Sequence, residues 1–323
     1  FITEKADFIE ADLSKMILRV YKSGELDYEV PILTKGREGS WWETPAGLYK
    51  INTKTKNHFS SIGHVWMPWA MQFQGNFFIH GETYYDDGTP TSSQYSGGCI
   101  RLKTEYAEKV YNLVNIGTPL LVFEEGFNSD NFVYNNKKKF EIDSPSYLVA
   151  DLKNNHIFAQ DSSSQAFEIG PATKLMTALI ATEYINLDRY ATTPKTALVG
   201  TDKPRLFEGA QYTIYQLLFP LLLENSNEAA ETIARNYGRD AFIKQMNAKA
   251  KSIGMSNTVF TDPTGLASEN VSTAEDLFML SKYIYNNRSF IFDITSDNVN
   301  TRIYGFNGFP DLENKNDFKD NEY

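Results

Sequence analysis

The sequence holds a single cysteine, Cys99, among 323 residues. One thiol excludes an intrachain disulfide and any site built from several thiolates, whether zinc or iron-sulfur. Long apolar runs are also missing. A bilayer span needs roughly 18 to 20 apolar residues in a row, and the longest greasy stretch, Leu217 to Leu223, is short and interrupted by Pro220. Positive charge is not in excess: 31 Lys+Arg stand against 41 Asp+Glu, a formal net charge of −10. That is the wrong sign for a protein whose affinity comes from neutralising phosphates, so nucleic acid is not an expected partner. Neither an initiator Met nor a charged-then-apolar leader precedes Phe1, and any targeting segment is expected to have been removed or to lie outside this sequence. His58, His64 and His156 show no His-Glu-x-x-His spacing, so no metal is expected. Asp86-Asp87-Gly88-Thr89-Pro90 lacks the alternating ligands and terminal Glu of a calcium loop and reads as a turn. No glycine-rich phosphate loop precedes a helix, and no cofactor is expected.

What remains is the composition of a folded globular chain, 41% hydrophobic, 14% aromatic and 22% charged. Its length exceeds what one hydrophobic core usually organises, so two domains are expected. From Phe8 to about Phe123 the pattern is β-like, with short runs such as Lys15 to Tyr21 and Phe77-Phe78-Ile79 bounded by Gly, Pro and Asn turns. Thr104 to Val114 is the clear helix of this half. Residues 126–145 carry Asn128-Ser129-Asp130-Asn131, Asn135-Asn136 and Lys137-Lys138-Lys139 with little periodicity, as a solvated linker would. After Ser146 the period changes. Thr173 to Tyr184, Thr213 to Leu223, Glu228 to Tyr237, Arg239 to Ser252 and Ala274 to Tyr285 repeat apolar residues at helical spacing. They follow a strand pair, Tyr147 to Leu152 and His156 to Gln160, turning at Asn154-Asn155. The expected organisation is a mostly β domain over 1–125, a linker over 126–145 and an α/β domain over 146–323.

The thiol lies in Ser96-Gly97-Gly98-Cys99-Ile100-Arg101. Two preceding glycines permit backbone angles that aim consecutive N–H groups at one point, the nest that a developing oxyanion requires. A free thiol has a pKa of about 8.5 and is mostly protonated at neutral pH, so it needs a base or local dipoles. His80 ends the run Asn76-Phe77-Phe78-Ile79-His80, nineteen residues upstream, enough chain for a loop that returns beside its own strand. A Cys/His pair is one reading. The other is a small buried cysteine and a hydrogen-bonded core histidine.

His80-Gly81 followed by Ser96-Gly97-Gly98-Cys99-Ile100-Arg101 resembles the signature of the L,D-transpeptidase (YkuD-type) catalytic domain. The likeness extends over roughly residues 8 to 125, including Thr44 to Tyr49, Met67 to Phe73 and Gly117 to Val122. It implies that Cys99 attacks the carbonyl of the third residue of a peptidoglycan tetrapeptide stem and expels the terminal D-alanine, leaving an acyl-thioester. His80 would take the thiol proton and later activate the acceptor amine, and the Gly81 carbonyl would hold the other ring nitrogen. The N–H groups of Gly98 and Cys99 would form the oxyanion hole. Arg101 would bind a substrate carboxylate or tie down the loop, and Ser96 would shape it. Gly97 departs from the family, whose members commonly carry His or Lys there, so that side chain's contribution to substrate binding is missing. The same resemblance makes the region of His64 a flap over the site. Trp41, Trp42, Trp66 and Trp69 are expected mostly in the core, with glycan stacking as the alternative.

Residues 146–323 resemble the low-molecular-weight D-alanyl-D-alanine carboxypeptidases, a branch of the penicillin-binding proteins, through Thr173 to Ala178, Leu217 to Glu224, Met246 to Ala250, Gly254-Met255, Pro263-Thr264-Gly265-Leu266 and Ser272 to Leu277. Active members need Ser-x-x-Lys at a helix start, Ser-x-Asn and Lys-Thr-Gly. Here the first reads Pro171-Ala172-Thr173-Lys174, with no side-chain nucleophile, although proline suits a helix's first turn. Thr173, one residue from Lys174, is expected to face elsewhere. The second reads Asn225-Ser226-Asn227, and the third is absent, an absence that an incomplete C-terminus would explain. The implied fold is multidomain: a mostly β L,D-transpeptidase-type domain followed by an α/β penicillin-binding-protein-like domain. The implied function is a peptidoglycan cross-linking cysteine acyltransferase acting outside the cytoplasmic membrane. Donor and acceptor stem peptides are its partners. The second domain is expected to be an inactive site (Pro171, Lys174, Asn225, Asn227) that binds stem peptide or a wall-synthesis protein. Water as acceptor would make it an L,D-carboxypeptidase or endopeptidase, a protein lysine an anchoring enzyme, and loss of both sites a wall-binding scaffold.

Overall fold

The computed structural model describes residues 1–37, 40–92, 94–124, 142–153, 155–200, 204–299, 305 and 307–316. The chain divides into two compact units, Phe1–Gly126 and Phe127–Tyr323. Most of the expected 126–145 linker, including the Asn128 to Lys139 run, and Asn154 of the expected turn lie outside the described residues.

The first unit contains β1 (Phe8–Asp12), β2 (Ile17–Lys22), β3 (Glu25–Pro31), β4 (Gly47–Lys50), β5 (Thr53–Ser60), β6 (Val65–Gln74), β7 (Phe77–His80), β8 (Ile100–Arg101), α1 (Thr104–Leu113) and β9 (Pro119–Phe123). A five-stranded sheet runs β3-β2-β1-β9-β4 and a four-stranded sheet runs β5-β6-β7-β8. Alternation decides what each strand buries. Leu18 and Val20 of β2 enter the core with Ile9 and Ala11 of β1. Arg19, between them, turns outward to ion-pair with its cross-strand neighbours Glu10 at 2.6 Å and Glu29 at 2.7 Å. From the second sheet come Met71, Phe73, Phe77 and Ile79, and Ala107 and Val110 of α1 complete the cluster.

One residue of β6 breaks the alternation. Trp69 has φ of +55°, a left-handed backbone that a bulky residue adopts only where its surroundings impose it. Before the break Met67 faces away from the main core; after it Met71 and Phe73 face in, and Trp69 packs on the core's edge. Met67 and Ala70 thereby reach a second, smaller cluster with Phe78 and Cys99. All four tryptophans are half-buried rather than mostly core. Trp66 keeps its ring at the surface with its Nε1 donating to Asp86 at 2.8 Å, and Asp86 lies in the turn expected at 86–90.

The second unit contains β10 (Tyr147–Ala150), β11 (Ile157–Asp161), β12 (Phe167–Glu168), α2 (Thr173–Tyr184), β13 (Tyr190–Thr192), β14 (Gln211–Thr213), α3 (Ile214–Leu223), α4 (Asn227–Tyr237), α5 (Arg239–Ser252), β15 (Val271–Ser272), α6 (Ala274–Asn287) and α7 (Phe290–Thr295). Its described strands form three two-stranded pairs around a helical core. Helix starts follow their caps: Thr213 and Gln216 make a reciprocal capping box for α3, Ser226 caps α4 and Thr273 caps α6. Among the described residues no helix is long and apolar enough to cross a membrane.

Helix periodicity located α2, α3, α4, α5 and α6 to within two residues. It missed the six-residue α7 and the strand pairs β12-β15 and β13-β14, which are too short to carry a period. It also gave no sign of a buried ionic cluster. Glu183 of α2 lies 2.6 Å from Lys249 of α5 and 3.5 Å from Arg288, and accepts from Tyr283 of α6 at 2.7 Å, with no exposure at Glu183, Lys249 or Arg288. Burial opposes ionisation of Glu183, but the two cations outweigh it and hold the carboxyl below its ordinary range.

Candidate active site

β7 and β8 run parallel with Ile79 opposite Ile100 and His80 opposite Arg101. Paired residues of parallel strands project to one face, so His80 and Arg101 share a side, and Phe78 packs with Cys99 one step behind them. Strand ends hold the pair in place: Leu102 N–H donates to the His80 carbonyl at 2.8 Å and Gly81 N–H to the Pro68 carbonyl at 2.8 Å.

His80 is 2% exposed, and its Nδ1 lies 2.6 Å from the Gly81 carbonyl. A carbonyl only accepts, so Nδ1 carries the proton and Nε2 is left as an acceptor. Burial pulls the imidazole down to about 4, with Arg101 and His58 adding to the shift and the Gly81 carbonyl opposing it. Cys99 is 7% exposed, and burial pushes its thiol up to about 11 against a Phe78 backbone hydrogen bond and the Arg101 charge. At neutral pH both groups are uncharged. The thiol also donates to the Asn76 carbonyl at 3.7 Å, a main-chain contact that residue types do not reveal. His58, on β5, stacks its ring on Phe78 with centroids 4.8 Å apart.

The loop before the thiol is tightly specified. Ser96 N–H donates to the Lys35 carbonyl at 3.0 Å, and the Ser96 hydroxyl donates to the Cys99 carbonyl. Gly98 has φ of +95°, and a Cβ there would come within 2.2 Å of the Phe77 ring and 2.9 Å of the Trp42 carbonyl. Gly97 is different: nothing lies within 4 Å of where its Cβ would be. Among the described residues no backbone hydrogen bond engages the N–H of Gly98 or Cys99. Arg101 is fixed through its backbone, donating to the Thr34 carbonyl at 3.0 Å and accepting from Leu33 at 2.8 Å, and burial lowers its guanidinium's pKa. A buried thiol, an imidazole with a free Nε2 and two unengaged N–H groups can together support acyl transfer.

In the second unit Pro171 occupies a 3-10 turn, Gly170–Ala172, that leads into α2. Lys174 Nζ donates to the Thr264 carbonyl at 2.7 Å, and Thr177 donates to the Pro263 carbonyl at 2.7 Å. The receiving turn is organised by Asp262, whose carboxylate accepts from Thr264 N–H at 2.5 Å, Gly265 N–H at 2.8 Å and Ala267 N–H at 2.7 Å. Burial pulls the Lys174 amine down to about 8, with Asp262 and Glu228 opposing. Thr173 does not face elsewhere as expected. It is fully buried, and its Oγ1 would lie 3.1 Å from a Cβ at Gly265, against the same turn that receives Lys174. Ser226 caps α4 by accepting from Ala229 N–H at 3.0 Å, Asn227 donates to the Gly200 carbonyl at 3.3 Å, and Asn225 takes φ of +59°. Among the described residues no group of three His, Cys, Asp or Glu side chains is placed to hold a metal ion.

Comparison with known proteins gives two family matches. The model for the D-alanyl-D-alanine carboxypeptidase family covers residues 133–318 and that for the L,D-transpeptidase catalytic domain covers residues 6–122. With more than half of its length matched by the former, the chain belongs to the D-alanyl-D-alanine carboxypeptidase family and carries an L,D-transpeptidase catalytic domain ahead of that region. A D-alanyl-D-alanine endopeptidase of Pseudomonas aeruginosa is 36% identical over 146 residues, 43% of this chain and 47% of that protein. The Escherichia coli K12 protein of the same name is 37% identical over 149 residues, again 43% and 47%. The chain thus spans about half the length of these curated relatives. Penicillin binding protein 6B of Escherichia coli shares the fold, at 23% identity and a TM-score of 0.50 over 61% of this chain and 64% of that one.

Proposed function

We propose that the chain is an extracytoplasmic peptidoglycan L,D-transpeptidase, with its chemistry in the domain over 1–125 and a non-catalytic binding or regulatory domain over 146–323. The observation that carries this reading is the His80 ring, tied by Nδ1 to the Gly81 carbonyl at 2.6 Å on the strand beside Cys99. Cys99 leaves the Asn76 carbonyl and attacks the carbonyl carbon of the third stem residue, while its proton passes to His80 Nε2. Because the thiol and imidazole are both neutral at rest, proton transfer accompanies attack instead of preceding it. The Gly98 and Cys99 N–H groups hold the oxyanion. As the C–N bond breaks, imidazolium protonates the departing D-alanine, and a thioester remains. An acceptor amine then attacks the thioester, giving its proton to His80, which returns it to the departing sulfur. Arg101 binds substrate carboxylate or secures the loop beneath it, and Ser96 shapes that loop.

The second domain is read as catalytically silent because Pro171 has no nucleophilic atom one turn before Lys174, while Ser226 spends its oxygen on the α4 cap. Lys174 and Asn227 serve as structural hydrogen-bond donors. Intact mass of the chain mixed with a disaccharide-tetrapeptide, beside Cys99→Ala, tests the whole scheme. An adduct dependent on Cys99 with released D-alanine and cross-linked dimers is expected. Tripeptide alone would replace transpeptidation by hydrolysis, and no adduct would sink the catalytic reading.

A further inference from the structure

We propose that a cleft at the C-terminal end of α4 binds the free carboxylate of a wall peptide, an inference that rests on the peptidoglycan substrate class argued above. The cleft, of about 390 Å³, is lined by Thr192, Pro194, Thr196, Arg235, Asn236 and Arg239, with no acidic side chain among them. Asn227 stands eight residues earlier on α4, about 12 Å along the axis, and neither it nor Lys174 lines the cleft.

The walls are built, not incidental. Asn236 is clamped to β13 in both directions, accepting from Thr192 N–H at 3.1 Å and donating to the Thr192 carbonyl at 2.9 Å. Both arginines are held by one carboxylate, Glu231, whose side chain is only 5% exposed: Arg235 Nε lies 2.8 Å from it, Arg239 Nε 3.1 Å and Arg239 Nη2 3.0 Å. Two guanidiniums against one carboxylate leave a positive charge over. Asp262 and Asp240 also act on Arg239 electrostatically, but Asp262 spends its oxygens on its own turn and neither lines the cleft. The Nη1 and Nη2 atoms of Arg235 and the Nη1 of Arg239 make no hydrogen bond among the described residues. Planar forks with unused N–H groups match a carboxylate in geometry and charge. The Thr192 and Thr196 hydroxyls add polar contacts, and Pro194 offers an apolar wall for a small side chain such as a terminal alanine methyl.

The test titrates the full chain with N-acetyl-D-alanyl-D-alanine, with its C-terminal amide and with inorganic phosphate, following the protein by NMR. The acid is expected to bind at least about 10-fold more tightly than the amide, and Arg235→Gln and Arg239→Gln each to weaken it by about 10-fold or more. Each variant leaves Glu231 one arginine, so melting temperature should hold. Arg239→Lys keeps the charge without the fork and should fall between wild type and Arg239→Gln. Equal binding of acid and amide, or unchanged binding in both Gln variants, overturns the proposal. Phosphate binding as tight as the acid also overturns it, marking a general oxyanion site instead. Release of D-alanine dependent on Cys99 is scored separately, so the catalytic reading and the cleft can fail independently.

Discussion

Cys99 with His80 in the first unit and Lys174 in the second are buried groups whose proton equilibria are moved by burial, yet they are embedded differently. Around Cys99 the reactive atoms are left uncommitted: Nε2 is unspent once Nδ1 is tied to Gly81, and the Gly98 and Cys99 N–H groups serve no backbone bond among the described residues. Around Lys174 the motif's side chains are tied into the fold, although the buried Thr173 hydroxyl beside it has no hydrogen-bond partner among the described residues. The amine is bonded to Thr264, the Ser226 oxygen caps a helix, and the side chain one turn before Lys174 is a proline ring. Retaining a fold's hydrogen bonds is therefore a different matter from retaining its chemistry. A catalytic centre needs donors and acceptors that folding does not consume.

Labelling gives the largest expected contrast between the two centres. Cys99→Ala should lower turnover by roughly 10³-fold or more. A carbapenem should acylate Cys99 in the wild type, while a penicillin should leave residues 146–323 unmodified by peptide mass mapping. A penicillin adduct in that range would erase the distinction. Next in size is the pair of glycines. Gly98→Ala drives a methyl into Phe77 at a left-handed backbone position and should lower kcat by about 100-fold. Gly97→Ala enters open space and should stay within about twofold of wild type; equal losses from both would dismiss the close-packed loop as the cause.

Asp262→Ala asks whether the second centre is a structural frame. Its carboxylate accepts from three backbone N–H groups, the Thr264 hydroxyl and the Asn270 amide, all lost in the variant, so denaturant unfolding should show a loss of about 3 kcal/mol. A last contrast, of comparable size, separates the centres by pH. The His80 pKa is about 4 in the folded chain against 6.5 for the free side chain, so the folded state binds fewer protons. Its contribution, about 3 kcal/mol, is complete above pH 6.5 and is lost as pH falls towards 4. The Lys174 amine, at about 8 against 10.5, acts at the alkaline end, adding stability as pH rises from about 8 to above 10.5. His80→Gln should flatten the acid limb and leave the alkaline one unchanged.

Much of this was legible from residue types. The longer helices follow from apolar spacing, while the lone thiol behind two glycines and the histidine ending a strand leave a Cys/His pair and a structural cysteine both open until the resemblance to the L,D-transpeptidase domain is added. Other features were illegible for identifiable reasons. Asn76 enters the site through its carbonyl, which every residue possesses. The left-handed turn at Trp69, which swings Met67 and Ala70 towards Cys99, leaves no trace in a strand's composition. Thr173, placed elsewhere by helical spacing, packs against the turn at 264–265, a contact some ninety residues along the chain that spacing within one helix does not encode.

The amino-acid sequence by itself determined which atoms exist for chemistry: one thiol, a histidine nineteen residues before it, and a proline three residues before Lys174. Local rules determined the helices and most strands, because a period of 3.6 or 2 is written along the chain. Only the tertiary structure decided which of those atoms remain available. Desolvation, the parallel register between β7 and β8, and the tie of Asn236 to Thr192 at the arginine cleft all arise between residues distant in sequence, and no local pattern encodes how strongly burial moves a proton or whether a donor finds a partner.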